Sequence, residues 1–390
     1  MTNHERLQLE LRKFVAPEFV FGTDARLLVD NYCNQFGVQK VLLVTDKAIE
    51  KLPWYNNIRD KLNESSIPFE VFSSISPNPR DYEVMQGAER YKAARCNMIV
   101  AVGGGSVMDC AKGIGIVATN GKHISEFEGV DKIRRPMPPL VCIPTTAGTA
   151  ADVSQFAIIN NFSKKYKMAI ISKATVPDIA LIDPTVLTTM SPFLSACTGL
   201  DAFSHAFEAY VSNASSDITD LHALEAIRLI YHNLLSSIQN PDNMQLRGKI
   251  MLASLYAGLA FSNASLGSVH ALAHSLGGYL DLPHGECNAM LLPFVVAFNF
   301  DASAEKYKTI ATELGVTIDK MNNDEVKTQL VEKLVAFKNS VGITSTLKTK
   351  GVGNQELQIL AKKAINDPCN ATNPRLPSES DLKAIYKLAL

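Results

Sequence analysis

The sequence predicts two domains in tandem: an α/β dinucleotide-binding type of domain with a parallel sheet over residues 1–188, and an all-α domain over 189–390. Three observations carry that expectation. In the first half, short apolar β-branched runs alternate with stretches of helical spacing, as in βαβ units. Past about residue 188 those runs thin out, and Ala/Leu-rich stretches with a 3.6-residue period take over. The chain of 390 residues is long enough for two domains at the usual ~150 residues each.

The strand expectations follow the buried runs KVLLVTD (40–46), PFEVFSSI (68–75), NMIVAVGGG (97–105), PLVCIPTT (139–146) and ALIDPTVL (180–187). A further strand pair is expected within 154–172. Helical spacing marks 83–96 and 106–120 between them. Such alternation implies a parallel sheet covered on both faces. In the second half, helices are expected at 193–212, 216–238, 246–262, 265–279, 286–299, 303–314, 324–340, 355–365 and 380–389. No internal repeat or low-complexity tract interrupts this order.

Composition narrows the function classes. The hydrophobic share is 46% and the charged share 20%, which suits a globular protein with sizeable cores. The net charge of -1 argues against a nucleic-acid or anionic-membrane partner held by bulk charge. MTNHERLQLELRK has no apolar h-region, so no signal peptide is expected. No apolar run reaches the ~20 residues of a membrane span. Seven scattered cysteines without a CxxC fit a reducing compartment, so a cytoplasmic location is expected.

VAVGGGSVMDCAK sets three glycines between a strand and a helix start, with Ser106 as expected N-cap and Asp109 in the capping-box position. Glycines there allow close backbone approach to a phosphate, and helix N–H groups supply positive potential. It is neither the Rossmann fingerprint nor a Walker loop. A second cluster, PTTAGT (144–149), also follows a strand and offers Thr145, Thr146 and Thr149. Both loops would face one crevice at the strands' C-terminal ends. Asp46, at another strand end, suits a ribose and would repel a 2′-phosphate, which favours NAD over NADP; a solvated turn aspartate is the bland alternative.

Asp201 and His205 are four apart, as are His270 and His274, so on helices each pair shares a face. His284 follows on what reads as a glycine-flanked loop. A lone histidine on an apolar helix is ordinarily a core residue. Five such groups in apolar surroundings instead point to a divalent-metal site of one aspartate and several histidines, although spacing leaves open which four bind. Carboxylate and imidazole donors suit Fe²⁺, Zn²⁺, Mn²⁺ or Co²⁺. No Lys or Arg occurs between Lys249 and Lys306, which favours a neutral substrate unless basic residues fold in from elsewhere.

With these residues in view, the chain closely resembles the iron-containing (group III) alcohol dehydrogenases, nearly end to end. The resemblance is carried by TDK (45–47), PNP (77–79), GGGSVMDCAK (103–112), PTTAGT (144–149), GLDAFSHAFEAYVS (199–212), AGLAFSNASLGSVHALAHSLGG (257–278), LPHGECNAMLLP (282–293) and NPR (373–375). It implies a dehydroquinate synthase-like fold with a cleft between the domains, usually as a homodimer. The implied metal ligands are Asp201, His205, His270 and His284, holding Fe²⁺ or alternatively Zn²⁺. His274 is implied to be catalytic, near the nicotinamide and substrate. The implied NAD site comprises Asp46, Asn78, Gly104, Gly105, Ser106, Asp109, Thr145, Thr146, Thr149 and Lys167. Phe156, Phe261 and Cys369 are implied to line the substrate pocket. Asp152 departs from the glutamate common in the family and shortens a side chain beside the cofactor loop.

The expected activity is hydride exchange between NAD(H) and a small, neutral, primary alcohol or its aldehyde. The alternatives are an NAD- or alcohol-sensing regulatory protein, and a relative acting on a phosphorylated or acidic polyol.

Overall fold

A computed structural model describes residues 12–164 and 166–390. The segment read as lacking a signal peptide lies, through residue 11, outside the described residues. The strands are β1 (Glu18–Phe21), β2 (Val41–Val44), β3 (Phe69–Phe72), β4 (Met98–Gly103), β5 (Gly129–Val130), β6 (Leu140–Pro144), β7 (Phe156–Asn161), β8 (Tyr166–Ile171) and β9 (Ile179–Ile182). Helices α1 (Val29–Gln35), α2 (Pro53–Glu64), α3 (Asp81–Ala93) and α4 (Gly105–Asn120) connect them. The main sheet runs β1-β9-β6-β4-β2-β3, with every pair parallel. β5, β8 and β7 form a separate small sheet, in which β7 and β8 are antiparallel.

Both faces of the main sheet are buried, which explains why its strands read as continuous apolar runs. Val41, Leu43, Val100, Val102, Val141 and Ile143 face one core; Leu42, Val44, Ile99, Ala101 and Cys142 face the other. The first core continues without a break into the helical domain. β1 was not anticipated. It is a four-residue edge strand, largely exposed, so it lacks the pattern of a buried run. α1 and α2 were missed too.

Chain order places the crevice expected for a nucleotide. From β2 the chain goes outward to β3, then crosses to β4 on the other side. Open α/β sheets bind ligands at such a switch point, beyond the strands' C-terminal ends. Gly103 pairs with Pro144 across β4 and β6, so both candidate loops leave the sheet at one level.

The helical half contains α5 (Pro192–Val211), α6 (Asp217–Gln239), α7 (Met244–Ala264), α8 (Ser268–Leu280), α9 (His284–Asn299), α10 (Ala304–Glu313), α11 (Asn323–Ser340), α12 (Leu357–Ala364) and α13 (Glu379–Leu388). All nine expected helices are present, with ends shifted by a few residues. Caps explain the starts: Ser191 Oγ accepts from Leu194 N–H before Pro192 opens α5, and Ser216 with Thr219 boxes α6. The expected boundary at 188 falls in the 3-10 segment Pro184–Thr189 between β9 and α5. Among the described residues, no single helix is long and apolar enough to cross a membrane.

Two local readings need correction. Ser106 does not cap α4, because Gly104 holds the cap position without a side-chain bond. Ser106 lies in the first turn, where its Oγ accepts from the Asn78 N–H at 3.2 Å. His284 is not in a loop; it opens α9 after Pro283.

Candidate active site

The glycine loop and the PTTAGT loop pack closely enough to exclude side chains. A Cβ on Gly105 would stand 2.6 Å from the Thr149 side chain. Together with Asp46 they border a groove of about 750 Å³, within the roughly 300–1,000 Å³ usual for cofactor and ligand pockets. Asp46, Asn78, Gly104, Gly105, Ser106, Thr145, Thr146 and Thr149 all line it. The start of α4, Gly105 to Val107, borders the groove, where a helix N-terminus favours an anion. Asp46 Oδ1 accepts from the N–H groups of Ala48 and Ile49, so the carboxylate also caps its own turn.

Asp109 and Lys167 face an inner pocket instead, which also receives Asn78, Gly105, Ser106 and Thr149. Burial pushes the Asp109 carboxyl up to about 6. Lys167 donates to Asn78 Oδ1 at 2.8 Å, and Asn78 Nδ2 donates to Asp281 Oδ1 at 2.9 Å on the helical domain. The basic-residue gap in the sequence therefore does not leave this pocket without a cation. Among the described residues, Lys167 is the one lysine or arginine lining it, and Asp109 and Asp201 share that lining.

The same inner pocket receives Asp201, His205, His270, His274, His284, Phe156, Phe261 and Cys369. α5 carries Asp201 and His205 on one face, α8 carries His270 and His274, and α9 begins with His284. Asp201, His270 and His284 present ligand atoms within 4.8 Å of one another. Asp201 Oδ1 lies 3.9 Å from His270 Nε2 and 3.7 Å from His284 Nε2. His205 stands beside this trio rather than within it, stacked 4.5 Å from the His270 ring and 4.3 Å from Phe261.

The electrostatics suit a cation. Burial lowers His205 to about 3 and holds His270 and His284 well below the usual histidine value, so their lone pairs are free. Burial raises Asp201, as expected for a carboxylate that lacks full compensation. The amide Nδ2 of Asn288 lies 2.7 Å from Asp201 Oδ1, 3.1 Å from His270 Nε2 and 3.3 Å from His284 Nε2. An NH₂ group has two hydrogens, so three converging acceptors exceed what it satisfies. Nδ1 of His205 is also buried without a partner. One carboxylate and three imidazoles with surplus lone pairs fit a divalent metal.

His274 faces a different partner. Its Nδ1 lies 2.8 Å from Asp367 Oδ2, and its ring stacks 5.2 Å from His284. Burial alone would raise Asp367, but the His274 imidazole and hydrogen bonds outweigh it and bring the carboxyl down to about 2. An ionised Asp367 accepts, so Nδ1 of His274 donates. Cys369 N–H donates to the other oxygen of Asp367 at 2.9 Å.

Four residues in this region were missed. Asp367 had no local signal, because 93 residues separate it from His274. Asn288 is one turn after His284 on α9, a relation hidden when 284 is read as a loop. Glu208 lies on the face of α5 that carries Asp201 and His205; its Oε2 is 2.5 Å from His270 Nδ1. That i, i+4, i+7 spacing was readable. Lys112 is fully buried and donates to the carbonyls of Ser154 and Phe156 at 2.9 and 2.7 Å, holding the strand that carries Phe156.

Comparison with known proteins shows the family. The family description "Iron-containing alcohol dehydrogenase" matches residues 16–184, and "Fe-containing alcohol dehydrogenase family, C-terminal" matches 195–390. A 1,3-propanediol dehydrogenase from Klebsiella pneumoniae is 37% identical, over 95% of this chain and 96% of that protein. An NAD-dependent methanol dehydrogenase from Bacillus methanolicus is 34% identical, over 97% and 99% respectively. A solved 1,3-propanediol oxidoreductase superposes with a TM-score of 0.95 at 36% identity, covering 98% of this chain and 100% of that one. With both domains matched and such relatives aligned nearly end to end, the chain belongs to the iron-containing alcohol dehydrogenase family.

Proposed function

We propose that this protein is an NAD(H)-dependent alcohol dehydrogenase that interconverts a small, neutral, primary alcohol and its aldehyde. One observation carries the reading: Asp201, His270 and His284 converge in a pocket that shares Asn78, Gly105, Ser106 and Thr149 with the nucleotide groove. Asp201, His205, His270 and His284 would hold the metal, with Fe²⁺ favoured by the family and Zn²⁺ as the alternative. When bound, a divalent cation supplies Lewis acidity towards an alcohol or carbonyl oxygen, and NAD supplies the hydride acceptor.

The chain's own residues do the rest. Amides at the start of α4 would hold the pyrophosphate, with Thr145, Thr146 and Thr149 bordering it, and Asp46 would receive the ribose hydroxyls. Phe156 and Phe261, with ring centroids 5.7 Å apart, form an apolar wall that keeps water from the reacting carbon. Cys369 lies in the same lining. His274, its Nδ1–H donated to Asp367, keeps Nε2 free to take the alcohol proton. The apolar rings of Phe156 and Phe261 in this lining support a neutral substrate over a phosphorylated or acidic polyol.

A reducing cytoplasm and a homodimer belong to the same reading. All seven cysteines are unpaired and buried, and the edge strand β1 exposes Phe19 and Phe21. The test is a panel of linear alcohols from one to six carbons, with an acidic polyol included, assayed with NAD⁺ on metal-analysed protein. Turnover of the short neutral alcohols is expected. A metal-loaded, NAD-binding sample that turns over none of them would favour the sensing role.

A further inference from the structure

We propose that Glu208 is a positioning residue that sets the tautomer of His270 and thereby the metal affinity of the site, an inference that rests on the metal reading above. Glu208 is buried on α5 and reaches the start of α8 with both oxygens engaged. Oε1 accepts from the Val269 N–H at 2.6 Å, and Oε2 lies 2.5 Å from His270 Nδ1. α8 begins at Gly267 without a side-chain cap of its own. Glu208 caps it from a neighbouring helix, where the helix N-terminus favours a carboxylate.

Local packing is arranged around this contact. A Cβ on Gly267 would stand 2.9 Å from Glu208 Oε1 and 2.6 Å from Asn373 Oδ1. Asn373 Oδ1 in turn accepts from the Ser268 N–H at 3.1 Å, so the carboxylate meets a helix start held from two sides. The Val269 bond fixes one oxygen, and that fixes the direction of the other. With Nε2 turned to the metal site, the His270 proton belongs on Nδ1, and Glu208 Oε2 is the acceptor placed to receive it. The Nε2 lone pair then faces Asp201 and His284, as ligation requires. Partners of this kind, behind a histidine ligand, typically change metal affinity by about 10–100-fold.

Glu208→Gln discriminates sharply. Glutamine has one acceptor oxygen where Glu208 uses two. If that oxygen stays on the Val269 N–H, the NH₂ faces Nδ1, and the imidazole proton must move to Nε2. The expected result is a folded protein whose Zn²⁺ dissociation constant, measured by chelator competition, rises about 10–100-fold, while NAD affinity is unchanged. Proton–nitrogen correlation spectra of the chelated protein should show His270 protonated at Nδ1 in the wild type and at Nε2 in the variant. Unchanged Zn²⁺ affinity with unchanged tautomer would overturn the proposal while leaving the metal site standing. If the wild type itself holds no Zn²⁺, the metal reading fails, yet the tautomer spectra still decide the role of Glu208. Should Glu208→Gln fail to fold, a wild-type spectrum showing His270 protonated at Nε2 would overturn the assignment, and Nδ1 protonation would support it.

Discussion

His270 and His274 lie one turn apart on α8, yet their neighbours assign them different work. His270 is buried between Glu208 and the Asp201–His284 pair, whereas His274 turns to Asp367. His270→Ala is expected to lose bound metal on desalting, as read by elemental analysis. His274→Ala should retain metal and lose about 10²–10⁴ in kcat, the usual contribution of a positioned acid or base. Equal metal loss in both variants would refute the division. A second residue-scale prediction concerns Asp152, whose carboxyl burial pushes up to about 6 from 3.8. The folded protein then holds this proton more tightly than the unfolded chain. The contribution to stability is full below about pH 3.8 and is lost as pH rises through about 6. Each tenfold change in proton affinity is about 1.4 kcal/mol, so the effect is at most roughly 3 kcal/mol. Urea unfolding at pH 4 and pH 7 should show that Asp152→Asn removes up to that much of the wild type's pH dependence. An identical pH dependence in both proteins would count against a buried, protonated Asp152.

Helices set the spacing of the site. α5 contributes Asp201, His205 and Glu208 from one face, and α9 must approach α5 closely for His284 to join them. Gly285 permits that approach: a Cβ there would stand 2.0 Å from the Cys197 carbonyl oxygen. Backbone is the obstacle, so no rotamer change relieves it. Gly285→Ala should therefore lower stability by about 1–3 kcal/mol, the usual range for overpacking, or more. It should also weaken metal binding, because His284 is the adjacent residue. A thermal midpoint and metal affinity equal to the wild type would show that α9 is free to shift. Much of this level was readable in advance. The nine helices of the second half followed from apolar periodicity, and the main strands from buried runs. β1 and α1 were not, because they are short or half-exposed; α2 was missed although its buried Trp54, Tyr55, Ile58 and Leu62 recur at helical spacing after Pro53.

At the scale of the molecule, one core runs from a face of the main sheet into the helical domain, and the cleft between the domains collects the groove proposed for the nucleotide and the Asp201–His270–His284 cluster. The proposed metal ligands lie on the helical side, and the glycine loop on the sheet side. Removing the metal should therefore leave NAD binding in place while abolishing turnover. Restoring Zn²⁺ or Fe²⁺ at 100 times its dissociation constant should stabilise the fold by about 2.7 kcal/mol, read by calorimetry. Loss of NAD binding on chelation would contradict this separation. The sequence by itself determined the α/β-then-α order, the two loops at the strand ends, and the ligand candidates, because periodicity and spacing are local properties of the chain. Only the tertiary structure decided that Lys167 enters the pocket, that Asp367 and Glu208 take opposite histidines, and that Asn288 meets three ligand atoms at once. Those pairings join residues from separate elements, and helix packing, which no local pattern encodes, brings them within hydrogen-bond reach.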